Sequence, residues 1–460
     1  MTTNPPTGEL RGSIGLDGKR AAIVPADVRG RFTSLRHVGF AVLIAVYAAL
    51  PWIPIGGQPA VFLDIEHRRF HLFGAAFNAQ DTWLLFFVLS GTGLALIAAT
   101  ALLGRIWCGY ACPQTVFLDG VFRRIERWIE GPAVLRRRRA AAGLSPALLA
   151  RKALKHALFA ILALAVAHVF LSYFVSLPRM FAMMRSSPGD HPAAFGWVLG
   201  LSGITYFNFA WFREQTCLIV CPYGRLQSAL TDGDTVIIGY DARRGEPRGK
   251  LAQPGAGDCV GCNRCVAVCP TGIDIRNGLQ IECIGCAACV DACDEIMGRV
   301  GRPRGLIRYA SARGLAGERR RIWRPRLVIY AVLGAAIVTG AALAVGSHMS
   351  FEANLLRAPG MPFTLAGDRV RNSFELHLVN KQDAPGRFAL APLAGTDVAL
   401  TLPQSELELD AGDSTSMAVF AEVEAARWRP GAVLRLRITR LGSSPVEERT
   451  LEARLLGPVQ

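Results

Sequence analysis

Five stretches of this chain are apolar for long enough to cross a bilayer, which takes about 20 residues of helix. They cover residues 38–55, 82–103, 154–175, 195–212 and 327–345. Lipid offers the backbone no hydrogen-bond partner, so each stretch must satisfy itself as a helix. That feature predicts a multi-pass helical membrane protein. The composition agrees: 51% of the 460 residues are hydrophobic and 19% are charged. The polar first 37 residues do not read as a cleavable signal, so the first span reads as a retained anchor.

The chain carries a formal charge of +15. Its distribution says what the charge is for. Lys and Arg number six in residues 1–37, two in 56–81, eleven in 104–155, two in 176–194 and eighteen in 213–326. Rich and poor segments alternate, and the rich ones are expected inside the cell. The N-terminus and the segments 104–153 and 213–321 are therefore expected in the cytoplasm of a bacterial cell, with the C-terminal tail in the periplasm. The basic excess follows from topology and from anionic headgroups. No basic and aromatic interleaving or recognition fold points to nucleic acid.

All twelve cysteines fall in the segments expected to be cytoplasmic, where a disulfide framework is disfavoured. Eight of them form two runs, CVGCNRCVAVC over 259–269 and CIGCAACVDAC over 283–293. Each reads C-x2-C-x2-C-x3-C, the bacterial ferredoxin pattern, in which the fourth cysteine ligates the other cluster. Zinc sites favour paired C-x2-C with longer gaps. The expectation is two [4Fe–4S] clusters, one on Cys259, Cys262, Cys265 and Cys293, the other on Cys283, Cys286, Cys289 and Cys269. Pro270 follows the first run, whereas Asp294 follows the second. No strand leads into G-x-G-x-x-G and a helix, so a bound NAD or flavin is not expected.

The other four cysteines form two C-x3-C-P motifs, Cys108 and Cys112 before Pro113, and Cys217 and Cys221 before Pro222. On a helix that spacing puts both thiols on one face. The prolines suit the first turn of a following helix. After Pro113, Phe117, Val121, Ile125 and Trp128 line one side of an expected interfacial helix, with Arg123, Arg124 and Arg127 at the headgroups. Both pairs therefore sit at the inner membrane surface, where four sulfurs would meet. Thiolates select soft ions, Cu(I) above all. A third cluster, zinc or a dithiol–disulfide couple would use the same atoms.

GRIWCGYACPQTVFLDGVF, TYFNFAWFREQTCLIVCPYGRLQSAL, the 257–297 run and the outer stretch FLDIEHRRFHLFGAAFNAQDTWLL together resemble the CcoG family, also called FixG or RdxA. These are polyferredoxin-like membrane proteins, regarded as cytochrome c oxidase accessory proteins. The resemblance is close over about residues 35–330 and looser in the tail. It implies a cupric reductase that passes Cu(I) to assembly of a cbb-type haem–copper oxidase, with copper as substrate at Cys108, Cys112, Cys217 and Cys221. The partners implied are the bilayer, copper-handling and oxidase-assembly proteins, an electron donor of unnamed kind and a second copy of the chain in a homodimer. The C-x3-C-P pattern also resembles membrane ferredoxin subunits that relay electrons from quinol. A non-redox copper carrier is a third reading.

The expected domains are a cytoplasmic segment 1–37, a membrane domain 38–230, a ferredoxin domain 231–321, a fifth helix 322–346 and a periplasmic domain 347–460. In that last part, segments such as SFELHLVN, SMAVFAEVE and AVLRLRITR alternate apolar and polar residues between turns, which predicts an antiparallel immunoglobulin-like β-sandwich. Met180, Met183, Met184 and His191, and likewise His348 and Met349, offer soft ligands but more simply pack. His168 is expected to be hydrogen-bonded within its helix and His156 to meet headgroups. Arg213 and Glu214 are expected to position the thiols or pair with each other, and Arg136–Arg139 to form a solvated or lipid-facing patch.

Overall fold

The computed structural model describes residues 10–11, 14–15 and 23–458, apart from 67, 68, 79, 80, 82, 144, 252, 347, 348, 383, 394–397, 444 and 445. His348 and most of the N-terminal segment lie outside the described residues. Among the described residues five helices are long and apolar enough to span a membrane: α1 (Arg31–Trp52), α2 (Leu84–Leu103), α3 (Pro146–Leu171), α4 (Pro192–Phe212) and α5 (Pro325–Gly346). Their outer faces carry Phe86, Leu89, Ile161, Leu199, Ile204, Val338 and Leu343, all exposed from the protein. Such faces suit a lipid environment.

Four of the five helices start before their apolar windows. α1 begins at Arg31 rather than residue 38, because its polar first turns are held by the protein. The Asp291 carboxylate, far along the chain, accepts from the Thr33 amide and hydroxyl at 2.7 Å each and from the Phe32 amide at 3.3 Å. It caps the open N-terminus of α1. Arg36 is buried, donating to the Gly109 carbonyl at 2.9 Å and to Asp119 at 2.8 Å. α3 begins at Pro146, behind an N-cap at Ser145 whose hydroxyl accepts from the Leu148 amide at 3.2 Å. Within the helices, Tyr206 and His156 share a hydrogen bond of 2.9 Å. His156 thus faces α4, not the headgroups. His168 bonds the Leu164 carbonyl at 2.8 Å, one turn back in its own helix.

Chain contacts divide the molecule into two compact units. The first comprises residues 1–64 and 85–339, so the ferredoxin cysteines share a unit with the first four helices. Strands β1 (Ile237–Tyr240) and β2 (Ile307–Ala310) pair antiparallel there, Ile238 opposite Tyr309. They close a core of Ile238, Ile275, Val290, Met297, Leu306 and Ile307 around the cysteines.

The second unit comprises residues 65–84 and 340–460. Its two larger antiparallel sheets are β3 (Phe351–Arg357), β4 (Thr364–Ala366), β5 (Arg369–Asn380), β7 (Ala399–Thr401) and β9 (Ser414–Glu424), and β6 (Gly386–Pro392), β8 (Glu406–Leu409), β10 (Val433–Leu441) and β11 (Glu448–Arg454). The spatial orders are β3-β5-β9-β7, with β4 beside β5, and β8-β6-β10-β11. Alternate residues Val370, Phe374, Leu376 and Leu378 of β5 turn inward against Phe388, Leu434, Leu436 and Ile438. This is the period-two burial of a sandwich. Met349 packs at its edge. The segment before α2 belongs with this unit: Asp81 and Lys381 pair at 2.8 Å, and Lys381 also meets Glu352 at 3.3 Å.

Candidate metal centre

The two ferredoxin runs adopt the same backbone. Gly261 and Asn263 have φ of 68° and 55°, and their counterparts Gly285 and Ala287 have 69° and 58°. Left-handed geometry costs a non-glycine residue about 1–2 kcal/mol. Its repetition at matched places, one an alanine, marks a built feature. Residues alternating in hand turn successive N–H groups into a concavity that suits an anionic cluster.

Cys259, Cys262, Cys265 and Cys293 line one cavity. Cys269, Cys283, Cys286 and Cys289 line another, to which Cys265 also contributes. The last cysteine of each run thus faces the cavity of the other run. Burial pushes Cys265 up to about 11 and Cys283 and Cys293 up to about 12. Thiols so placed ionise only with a positive group to compensate them. The donor set, its spacing and the inward amides fit two [4Fe–4S] clusters. Asp294, standing where the first run has proline, accepts from the Gly305 amide at 2.8 Å and so fixes the chain after the second run.

The C-x3-C-P cysteines also come together. Cys108, Cys112, Cys217 and Cys221 line a single cavity. In each pair the first cysteine lies in a short helical turn, Ile106–Tyr110 or Thr216–Val220. The second is the N-cap of the next helix, with proline at its first position. The break at Cys112 and Cys221, rather than one continuous helix face, aims both thiols of a pair at the cavity. Burial is the main cause that raises Cys108 to about 11 and Cys217 to about 12, and it raises Cys112 as well. The neighbouring sulfurs add to the rise. The Gln227 amide donates to the Cys108 sulfur at 3.2 Å and, with Arg105, opposes it. The amides of Gln114 and Thr115 do the same for Cys112.

The thiol quartet and the second ferredoxin cavity have a common wall. Pro270, Thr271 and Ile284 line both. Cys265 lines both ferredoxin cavities. The middle cavity, that of Cys269, Cys283, Cys286 and Cys289, therefore joins the other two. Gly109 shows how tightly these parts fit: a Cβ there would stand 2.8 Å from the Ile284 carbonyl oxygen. Among the described residues no three of His, Cys, Asp and Glu converge on one ion.

Several charged residues differ from expectation. Arg123 does not reach headgroups. It bonds Asp119 at 2.6 Å and the Pro270 carbonyl at 3.0 Å, and it pairs with Glu214. Trp128 is 83% exposed, while Phe117, Val121 and Ile125 pack inward. Arg213 and Glu214 do not pair with each other: Arg213 pairs with buried Glu126. Arg136 joins Glu126 and Glu130 at 3.0 Å each and is not a solvated residue. Met180 is buried and Met184 exposed, so the methionine stretch presents no shared face. Asp119, Gln227, Arg105 and Asp291 were not singled out by motif. Their only signal in the sequence is polarity near the cysteines.

Residues 212–312 match a 4Fe-4S dicluster domain, residues 84–138 a 4Fe-4S binding domain, and residues 341–458 the IG-like fold at the C-terminal of FixG. Protein RdxB of Cereibacter sphaeroides is 34% identical over 91% of this chain and 91% of its own length. Protein RdxA of the same organism is 36% identical over 81% and 82%. The nitrogen fixation protein FixG of Rhizobium meliloti is 33% identical over 79% and 77%. Among solved structures, a FixG-related protein from Vibrio parahaemolyticus aligns over its whole length with 24% of this chain, at 15% identity and a TM-score of 0.21. Iron–sulfur motifs, five spans, an immunoglobulin-like tail and relatives matched along most of their length make this chain a member of the FixG/RdxA family of multi-pass iron–sulfur redox proteins.

Proposed function

We propose that the protein is a cupric reductase, taking Cu(II) as substrate to Cu(I), one electron per ion, for assembly of a cbb-type oxidase. One observation carries the reading: the quartet Cys108, Cys112, Cys217 and Cys221 lines a cavity that shares a wall with a ferredoxin thiol cavity. Bound clusters supply one-electron transfer. The quartet supplies soft donors, which favour Cu(I) over Cu(II) and so pull the reduction forward. Gln227 orients Cys108. Arg123 and Arg105 line the same cavity and offset the charge of its thiolates. Copper binding releases the protons of Cys108, Cys112 and Cys217, whose thiols burial keeps neutral.

The test uses anaerobically purified full-length protein, reduced and freed of excess reductant. Cu(II) is added, and Cu(I) is followed with a selective chelator alongside cluster absorbance. A variant with Cys108, Cys112, Cys217 and Cys221 changed to Ala is expected to keep its clusters and to reduce copper at least about tenfold more slowly, a rise of about 1.4 kcal/mol in barrier. Equal rates would remove the quartet from the reaction.

A second reading has its own support. The match of residues 84–138 to a 4Fe-4S binding domain includes Cys108 and Cys112. In that case the quartet holds a third cluster in an electron relay. Iron content decides: about eight irons per chain in wild type and variant alike supports copper, and about twelve falling to eight supports the relay.

A further inference from the structure

A cavity of about 290 Å³ lies beside the ferredoxin thiols and is used by neither of these readings. We propose that it holds the ring of a membrane quinol, the electron donor to the clusters. The inference rests on the ferredoxin cysteines being cluster ligands and not on copper chemistry.

Position is the first argument. Leu103, which ends α2, lines the cavity, so it stands where that helix leaves the membrane. Leu279 and Ile281 line it too and are 51% and 49% exposed. Large apolar side chains left open at a membrane surface give a lipid-borne molecule a way in. Size is the second. At this volume, the low end for small-molecule sites, one substituted ring fits and a nucleotide cofactor does not. An isoprenoid tail would run out past Leu103 and Ile281.

Polarity is the third argument. The hydroxyls of Ser228, Thr231 and Tyr309 line the cavity and already donate to the carbonyls of Arg225 at 2.8 Å, Ser228 at 3.1 Å and Gly285 at 2.7 Å. Their remaining lone pairs accept, which suits a ligand with two O–H donors, the reduced quinol. Contact is the last. Cys283 lines both this cavity and the middle thiol cavity. The balance is QH2 → Q + 2 e⁻ + 2 H⁺. The electrons leave singly toward the Cys283 side, and the protons leave to water past exposed Ser228. With Cu(II) as final acceptor the sum is QH2 + 2 Cu(II) → Q + 2 Cu(I) + 2 H⁺.

The experiment uses full-length cluster-loaded protein in lipid nanodiscs with an azido-ubiquinone photolabel. Label is expected on peptides containing residues 228–238 or 279–283, and excess decylubiquinone should compete it away. Ile281→Trp, which fills the mouth from an exposed position, is expected to cut labelling and decylubiquinol-driven cluster reduction by at least about tenfold. Its iron content and its reduction by dithionite should be unchanged. Label confined to other peptides overturns the proposal, as does label here that Ile281→Trp leaves intact. Label here with no quinol-driven bleaching also overturns it, since the site would then hold quinone without drawing electrons. Copper reduction by dithionite-reduced protein is read separately, so failure of the donor site and failure of the reductase reading are distinguishable.

Discussion

At Glu126 one carboxylate holds a cluster of cations. Its side chain is 2% exposed and meets Arg213, Arg136 at 3.0 Å and Lys155 at 3.9 Å. Burial alone would raise its pKa, but Arg213, then Arg136 and Lys155, hold the carboxyl below its ordinary value of 4.5. Removing one partner of a buried pair strands the others. Glu126→Gln is therefore expected to destabilise the protein by about 3–5 kcal/mol, read as a lower thermal midpoint. The sign with pH follows. A depressed folded pKa contributes stability above the unfolded value, which is lost as pH falls through the folded one. The gap between wild type and Glu126→Gln should thus persist at neutral pH and close as pH is lowered below 4.5 toward the folded value. None of this was legible in the sequence, because the partners lie 10 to 87 residues away. The cysteines were legible because a cluster dictates ligand spacing within a short run. Gln227 was not, since nothing local says that its amide will meet a sulfur.

Three π-helical turns surround the thiol quartet, at Leu118–Phe122, Asn208–Phe212 and Thr216–Val220. A π turn inserts one residue and rotates everything after it by about 100°. Here the first one puts Asp119 and Arg123 on the cavity side. Deleting Gly120 should restore an α-helix, turn Arg123 away from Glu214 and slow copper reduction by at least about tenfold, with iron content kept. Hydropathy located all five spans and alternation located the tail strands, as both are averages over many side chains. Insertions of one residue leave no such trace. Nor did the early start of α1, which depends on a cap from Asp291. Asp291→Ala is expected to cost about 1 kcal/mol, measured as a lower thermal midpoint.

The alternation of arginine-rich and arginine-poor segments predicts an orientation for the whole molecule, and labelling tests it. In cells, a membrane-impermeant maleimide should label Ser405→Cys, exposed in the tail, without lysis. It should label Arg299→Cys, also exposed, only after the inner membrane is opened. The reverse pattern would invert the topology. Within the first unit the middle thiol cavity borders each of the others: Cys265 leads to its twin, Pro270 and Thr271 to the quartet, Cys283 to the 290 Å³ cavity. On the proposed function, a cell starved of iron would make the polypeptide in full and still lose its command of copper, so that scarcity of one nutrient would register as mishandling of another.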